Sequence, residues 1–146
     1  PDAAYIAAHI AEAIHALDER QYAAMVLDRL RPYVAYNTTL GGTAMCRGST
    51  AHFVALLQTT LGQYAEAEQH FEQALAFNRK LQAPPFLART QYEYASMLAK
   101  NDRAGDEQRA LVLVDQALAT AESLGMTRLS EQALALKVRV QGILKA

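Results

Sequence analysis

Residues 61–75 read LGQYAEAEQHFEQAL and decide the fold. Within them, Ala67, Phe71 and Ala74 are spaced i, i+4 and i+7, so all three lie on one face of a helix. The two alanines allow a second helix to approach closely, and the Phe71 ring fills the space between the helices. This face predicts a helix that packs against a neighbouring helix, after a turn at Gly62.

The same spacing occurs again further along the chain. In RALVLVDQAL, residues 109–118, Ala110 and Ala117 follow Ala67 and Ala74 by the same 43 residues. A shared offset of this kind is typical of a repeat architecture, in which each helix pair covers the apolar face of the next. We therefore expect a second copy of the helix pair in this part of the chain.

The central stretch resembles the second half of a tetratricopeptide repeat. The family pattern there is a Gly-x-Tyr turn, a small residue, a large residue four positions later, and Ala-Leu three positions after that. Gly62, Tyr64, Ala67, Phe71 and Ala74 occupy those places. Tyr22 also precedes Tyr64 by 42 residues. A period near 42 residues exceeds the roughly 34 of the standard repeat, so the resemblance is to the longer varieties.

The resemblance implies an all-α fold, a right-handed α-solenoid of antiparallel helix pairs. It divides a single domain into a divergent repeat over about 1–40, repeats over 43–83 and 85–125, and a capping helix over 127–146. The chain also resembles the carboxy-terminal repeat regions of bacterial multidomain transcriptional activators and nucleotide cyclases, in which repeats follow an ATPase module. Because a helical pattern begins almost at once after Pro1, we expect a piece of a larger protein.

The spacing of apolar residues and the positions of helix-breaking glycines and prolines give the approximate helix bounds. We predict helices over about 3–17, 20–31, 43–61, 63–82, 86–100, 106–124 and 127–146. Asp106 is expected to cap the start of the sixth helix and Gly125 its end. The last helix is expected to carry one apolar stripe, formed by Leu129, Ala133, Leu136, Val140 and Leu144. The first helix is expected to place Ile6, Ile10, Ala13, Ile14 and Leu17 on one face. Residues 32–42 are expected to form a connector, on which Tyr33, Tyr36 and Asn37 make a candidate surface.

Composition excludes several classes of function. The net charge is −1, from 14 Lys and Arg against 15 Asp and Glu, and no dense basic run is present, so direct nucleic-acid binding is not expected. No apolar stretch approaches the roughly 20 residues that span a bilayer. Cys46 is the only cysteine, which excludes an internal disulfide and fits a cytoplasmic setting.

Motifs for catalysis and for metal or cofactor binding are missing from the sequence. It contains no HExxH, no phosphate-binding glycine loop and no GxSxG. His9 and His15 are six residues apart and fall on different helix faces, and Cys46 is expected to be a small apolar filler on a helix. We therefore expect a protein that is not an enzyme and carries neither metal nor cofactor.

Four polar residues are candidates for partner binding: Arg47, His52, Arg89 and Tyr92. All four fall on the predicted first helices of their pairs, and the resemblance implies that those helices line a concave groove. Arginine can hold a carboxylate through two hydrogen bonds, and tyrosine offers an apolar face with a polar tip. The alternative is that Arg47 and Arg89 pair with nearby carboxylates of the chain itself.

Two functions remain open from the sequence. The first is a regulatory module whose groove binds a peptide, a protein or a small effector and passes the event to other domains of the parent protein. The second is a structural module for self-association, including a homodimer, which an apolar outer face on the first or last helix would favour. The sequence identifies neither the partner nor the oligomeric state.

Overall fold

The computed structural model describes residues 2–41, 45–101 and 103–145, and over them the chain is all-α apart from one short β-hairpin. Seven α-helices lie within these residues. They are α1 (Asp2–Leu17), α2 (Arg20–Leu30), α3 (Thr50–Thr60), α4 (Tyr64–Lys80), α5 (Pro84–Lys100), α6 (Asp106–Ser123) and α7 (Thr127–Lys145). A 3₁₀ turn (Arg31–Tyr33) and strands β1 (Asn37–Leu40) and β2 (Met45–Ser49) separate α2 from α3.

Contacts divide the chain into two compact units, Pro1–Leu81 and Gln82–Ala146. In the first unit, α1 packs on α2 and α3, α2 packs on α3, and α3 packs on α4. In the second unit, α6 packs on both α5 and α7. Each unit therefore builds its own core from neighbouring helices in the chain.

Helix α3 is buried at every position from Thr50 to Thr60. Its apolar residues, such as Val54 and Leu57, are the reason it can be buried, because each removes apolar surface from water. Its hydroxyls are satisfied within the helix: Thr59 Oγ1 donates to the carbonyl of Ala55 (2.8 Å) and Thr60 Oγ1 to that of Leu56 (3.1 Å). These two buried hydroxyls therefore have hydrogen-bond partners without any contact with water.

The predicted third helix is wrong over residues 45–49, which form β2. The predicted start at Thr43 lies outside the described residues, and the helix begins at Thr50. In the antiparallel hairpin, Asn37 lies opposite Ser49, whereas Thr39 lies opposite Cys46, so β2 contains a bulge. Gly48 lies in the bulge at φ +85°, a conformation that glycine adopts without a steric penalty.

Side-chain hydrogen bonds hold the hairpin against the helices. The Ser49 hydroxyl caps α3 by accepting from the Ala51 amide (3.3 Å), and the Ser49 amide donates to Asn78 Oδ1 on α4 (3.1 Å). The Thr38 and Thr50 hydroxyls lie 2.9 Å apart. The start of α3 is therefore fixed by a strand, by its own cap and by α4.

The stripe that predicted the fold lies where it was expected. Ala67, Phe71 and Ala74 on α4 have no exposed surface, and α4 packs against α3. Gly62, at φ +76°, makes the turn between the two helices. The predicted register of this helix is confirmed.

The second unit repeats the pattern in α6. Ala110, Val114 and Ala117 are fully buried, as the shared offset predicted. Gly125, at φ +65°, ends the helix, as expected. On α7 the predicted stripe is buried from Leu129 to Val140, but Leu144 is exposed (39%).

The start of α6 differs from the prediction. Gly105, at φ +90°, is the N-cap, and Asp106 is the first helical residue. The Asp106 carboxylate is buried (side chain 3% exposed) and accepts hydrogen bonds from Asn101 Nδ2 (3.0 Å) and Arg109 Nη1 (3.1 Å). A buried carboxylate needs such partners, so Asp106 joins the preceding loop to its own helix instead of capping it.

We predict that Ala67→Leu lowers the free energy of unfolding by about 1–3 kcal/mol, because the larger side chain overpacks the contact between α3 and α4. Ala65→Leu, at an exposed position on the same helix, is the matched control and should change it by less than about 0.5 kcal/mol. Urea unfolding of both variants checks this. Equal stability of the two variants would contradict the register of α4.

Candidate interaction surface

Helix α1 turns its largest apolar residues outward. Ile6, Ile10 and Leu17 are 56%, 44% and 71% exposed, whereas Ile14 is buried. The predicted grouping of these residues on one face is therefore wrong for Ile14. The inner face consists mainly of alanine, namely Ala4, Ala7, Ala8 and Ala11, because small side chains let α1 lie close against α2 and α3.

The exposed residues form a continuous band, which we call the α1 outer stripe: Ile6, Ile10, Ala13 and Leu17. These positions are separated by four, three and four residues and so share one helix face. No charged residue belongs to the stripe. A helix that is apolar on both faces is typical of one covered on both faces, and contiguous exposed apolar patches mark interaction sites.

Arg47 lies on β2, not on a helix as predicted, and it points toward α1. Its Nη2 forms an ion pair with the carboxylate of Glu12, and its Nη1 lies 3.0 and 3.1 Å from the two ring nitrogens of His9. The guanidinium carbon lies 5.6 Å from the centre of the Phe53 ring and 5.9 Å from that of Tyr5, within the range of a cation–π contact.

These contacts match the alternative interpretation of Arg47, pairing with a carboxylate of the chain. The Arg47 side chain is only 18% exposed, and that of Glu12 is 34% exposed. Its Nε is buried and has no hydrogen-bond partner among the described residues. The main role visible for Arg47 is to join the hairpin to α1.

His52, the second predicted site residue, is buried in the first unit with 8% of its surface exposed. Its ring packs edge-to-face on Phe53 (centroids 5.0 Å apart) and lies 6.4 Å from the ring of Phe71. This is the environment of a side chain within a helix contact. Arg47 and His52 are thus brought to the same ring, that of Phe53.

Arg89 and Tyr92 lie one turn apart on α5, in the second unit. Arg89 is exposed. Tyr92 is half-buried and packs against the cluster of Ala88, Ala121 and Leu129. Burial, reinforced by the charge of Glu93 and opposed by that of Arg139, raises the pKa of the Tyr92 phenol above its ordinary value of 10.0.

His70 makes polar contacts that were not predicted from the sequence. On α4, its Nδ1 lies 2.7 Å from Oε1 of the buried Gln58 on α3 and 3.0 Å from the carbonyl of Glu66. Desolvation, with a smaller contribution from the charge of Arg31, lowers its pKa below 6.5, although the Glu66 carbonyl acts in the opposite direction. The neutral ring is therefore favoured in the folded chain.

The connector and the cysteine were also candidates. Tyr33 and Tyr36 are exposed (38% and 64%), and Asn37 begins β1. Cys46 is exposed on β2, where its Sγ accepts from the Gly48 amide (3.4 Å). The expectation of a small apolar filler on a helix is therefore wrong for Cys46, because the hairpin turns this position to the surface.

Over the described residues, no three His, Cys, Asp or Glu side chains form a group that could hold a metal ion. The helices of those same residues include none that is long and apolar enough to cross a membrane. Searches against protein families, curated proteins and solved structures found no match for this chain. The tetratricopeptide resemblance stays a prediction from the sequence.

We predict that Arg47→Ala and Arg89→Ala differ in their effect on folding. Arg47→Ala leaves the half-buried Glu12 carboxylate without its partner and should cost about 1–2 kcal/mol after allowance for solvent screening. Arg89→Ala, at an exposed position, should change stability by less than about 0.5 kcal/mol. Urea unfolding measures both, and a costly Arg89→Ala would make Arg89 a structural residue.

We predict that His70 contributes to the pH dependence of stability. Because its folded pKa is depressed, the contribution is fully present above the unfolded pKa of about 6.5 and is lost as the pH falls through that value toward the folded pKa. His70→Gln should flatten the decline in unfolding free energy between pH 7.5 and pH 5. Gln69→Ala, an exposed neighbour, is the control, and identical slopes in the two variants would contradict the prediction.

Proposed function

We propose that the chain is a non-catalytic protein-interaction module. The observation that carries this proposal is the α1 outer stripe, on which Ile6, Ile10 and Leu17 are exposed at 44–71%. Each of these side chains would contribute roughly 1.5–3 kcal/mol on full burial relative to full exposure. A surface of this kind favours binding to another apolar protein surface.

The proposal includes a stacked arrangement of helix pairs, the α-solenoid implied by the resemblance. Within the first unit, the pair α1–α2 packs on α3, which pairs in turn with α4. This is the order in which successive pairs of a solenoid cover one another. In such an array the outer face of a first helix is where a further helix would pack, and the α1 outer stripe lies there.

The second unit supplies the remaining candidate contacts. Arg89 is exposed on α5, one turn from the half-buried Tyr92. One ligand could therefore place a carboxylate on the guanidinium and an apolar group on the Tyr92 ring. We keep these two residues as proposed contacts for a peptide, protein or small effector. In the parent protein, binding would then be passed to other domains, as regulatory repeat modules do.

The second candidate function is self-association. An apolar outer face on the first or last helix is the feature expected from the sequence to favour it. The α1 outer stripe is such a face, and its side chains match the chemistry of helix–helix contacts between copies. The two candidate functions therefore share one surface and differ in its occupant.

We predict that a synthetic helical peptide binds the α1 outer stripe. The probe is fluorescein-labelled, has leucines separated by four, three and four residues on a Glu/Lys background, and is followed by fluorescence anisotropy. Ile10→Glu should weaken its binding by roughly tenfold or more, because a charge would have to lose its water in the contact.

Val112→Glu is the matched control. Val112 is 59% exposed on α6, so it offers similar chemistry on a surface of the other unit, and binding should persist. Failure of the wild-type chain to bind the probe, or equal loss in the two variants, would remove the α1 outer stripe as a binding surface.

A further inference from the structure

Three arginines of the second unit lie on one side of the contact between α5 and α7. Ala88, near the start of α5, packs with Leu129, near the start of α7, so the two helices begin at the same end of the unit. Arg89 directly follows Ala88, and Arg128 directly precedes Leu129. Because the two helices face each other across this contact, one step forward on α5 and one step backward on α7 lead to the same side.

Arg139 extends this side along α7. It follows Arg128 by 11 residues, which is about three helical turns, so both side chains leave the helix on the same face. Tyr92, one turn after Arg89, packs half-buried against the cluster that contains Leu129. The charge of Arg139 acts on the Tyr92 phenol and opposes the rise in pKa that burial causes. We call Arg89, Arg128, Arg139 and Tyr92 the arginine face.

The arginine face is a local excess of positive charge. Helices α5 and α7 together carry six Lys and Arg against two acidic residues, Glu93 and Glu131, although the net charge of the whole chain is −1. The three arginines of the face are exposed. Within the described residues none of the three forms an ion pair, whereas the other two arginines of the unit pair with Asp106.

Arg128 occupies a position that does not favour folding. It lies in the first turn of α7, where the helix dipole is positive and repels a guanidinium group. No acidic residue in that turn offsets the charge. A residue that opposes the stability of its own helix is the kind of local conflict that functional sites contain.

We propose that the arginine face binds an acidic peptide segment of a partner protein. The inference rests on the proposed function and names the chemistry of its ligand. Guanidinium groups hold carboxylates through paired hydrogen bonds, and the Tyr92 ring offers an apolar surface to a side chain between them. Arg128 and Arg139 lie roughly 16 Å apart along α7, a span that an extended peptide of about five residues covers and a small anion does not.

The test follows the fluorescence anisotropy of two fluorescein-labelled peptides, Glu-Glu-Leu-Glu-Glu and Gln-Gln-Leu-Gln-Gln, as the whole chain is added. The glutamate peptide should bind and the glutamine peptide should not. Added salt should weaken the binding, because the contacts join exposed charges. Arg89→Gln, Arg128→Gln and Arg139→Gln should each weaken it by roughly threefold or more. Lys145→Gln, which removes the same charge from another face of α7, is the control and should bind like the wild type.

The melting temperatures of the variants separate binding from folding. Arg89→Gln and Arg139→Gln, at exposed positions, should melt with the wild type. Arg128→Gln should melt at the same temperature or slightly above it, because the substitution removes repulsion from the helix dipole. An arginine variant that loses thermal stability together with peptide binding would make that arginine structural and remove it from the arginine face.

The remaining outcomes separate this inference from the proposed function. Equal binding of the two peptides would overturn the acidic ligand. Equal weakening by Lys145→Gln would overturn the arginine face as its site, because the effect would then follow net charge alone. A chain that binds the leucine peptide described above but not the glutamate peptide would overturn this inference and leave the interaction module in place. Failure to bind either peptide would overturn both.

Discussion

The burial of α3 is the constraint on which the first unit depends. A helix with no exposed residue from Thr50 to Thr60 must be covered by neighbours, and α1, α2 and α4 all pack against it. Its start must also be fixed, because an unsatisfied buried amide is costly. Ser49 and Asn78 meet that need, and the hairpin that carries Ser49 is in turn joined to α1 through Arg47 and Glu12.

This constraint also explains the alanine face of α1. Its alanine face lies on the α2–α3 core, where larger side chains would keep the helices apart. Ile6, Ile10 and Leu17 face outward, where they are not part of the hydrophobic core of a single chain. The proposed interaction function follows from that division, because residues that do not stabilise the chain by burial are available to bind another surface.

Much of the helical pattern could be predicted from the sequence. The stripe at Ala67, Phe71 and Ala74 was enough to predict which face of α4 is buried. The turn at Gly62 sets where the helix begins, and the two small alanines show where a neighbouring helix can approach. The hairpin could not be predicted in the same way. Residues 45–49 have no helix breaker except Gly48, and strand pairing with residues 37–40 is a contact between separate segments that local propensity does not contain. Arg47 was consequently assigned to the wrong element.

The α1 outer stripe was not predicted, because hydrophobicity alone does not say which of two apolar helix faces packs inside. Larger residues were expected in the core, but close helix packing selected alanine instead. Binding at the α1 outer stripe can be tested with amide NMR spectra of the ¹⁵N-labelled chain, recorded while the labelled leucine peptide is added. We expect shifts that depend on the peptide concentration at the outward positions of α1, namely Ile6, Ile10 and Leu17. Shifts confined to α5 or α7, or none at all, would contradict it.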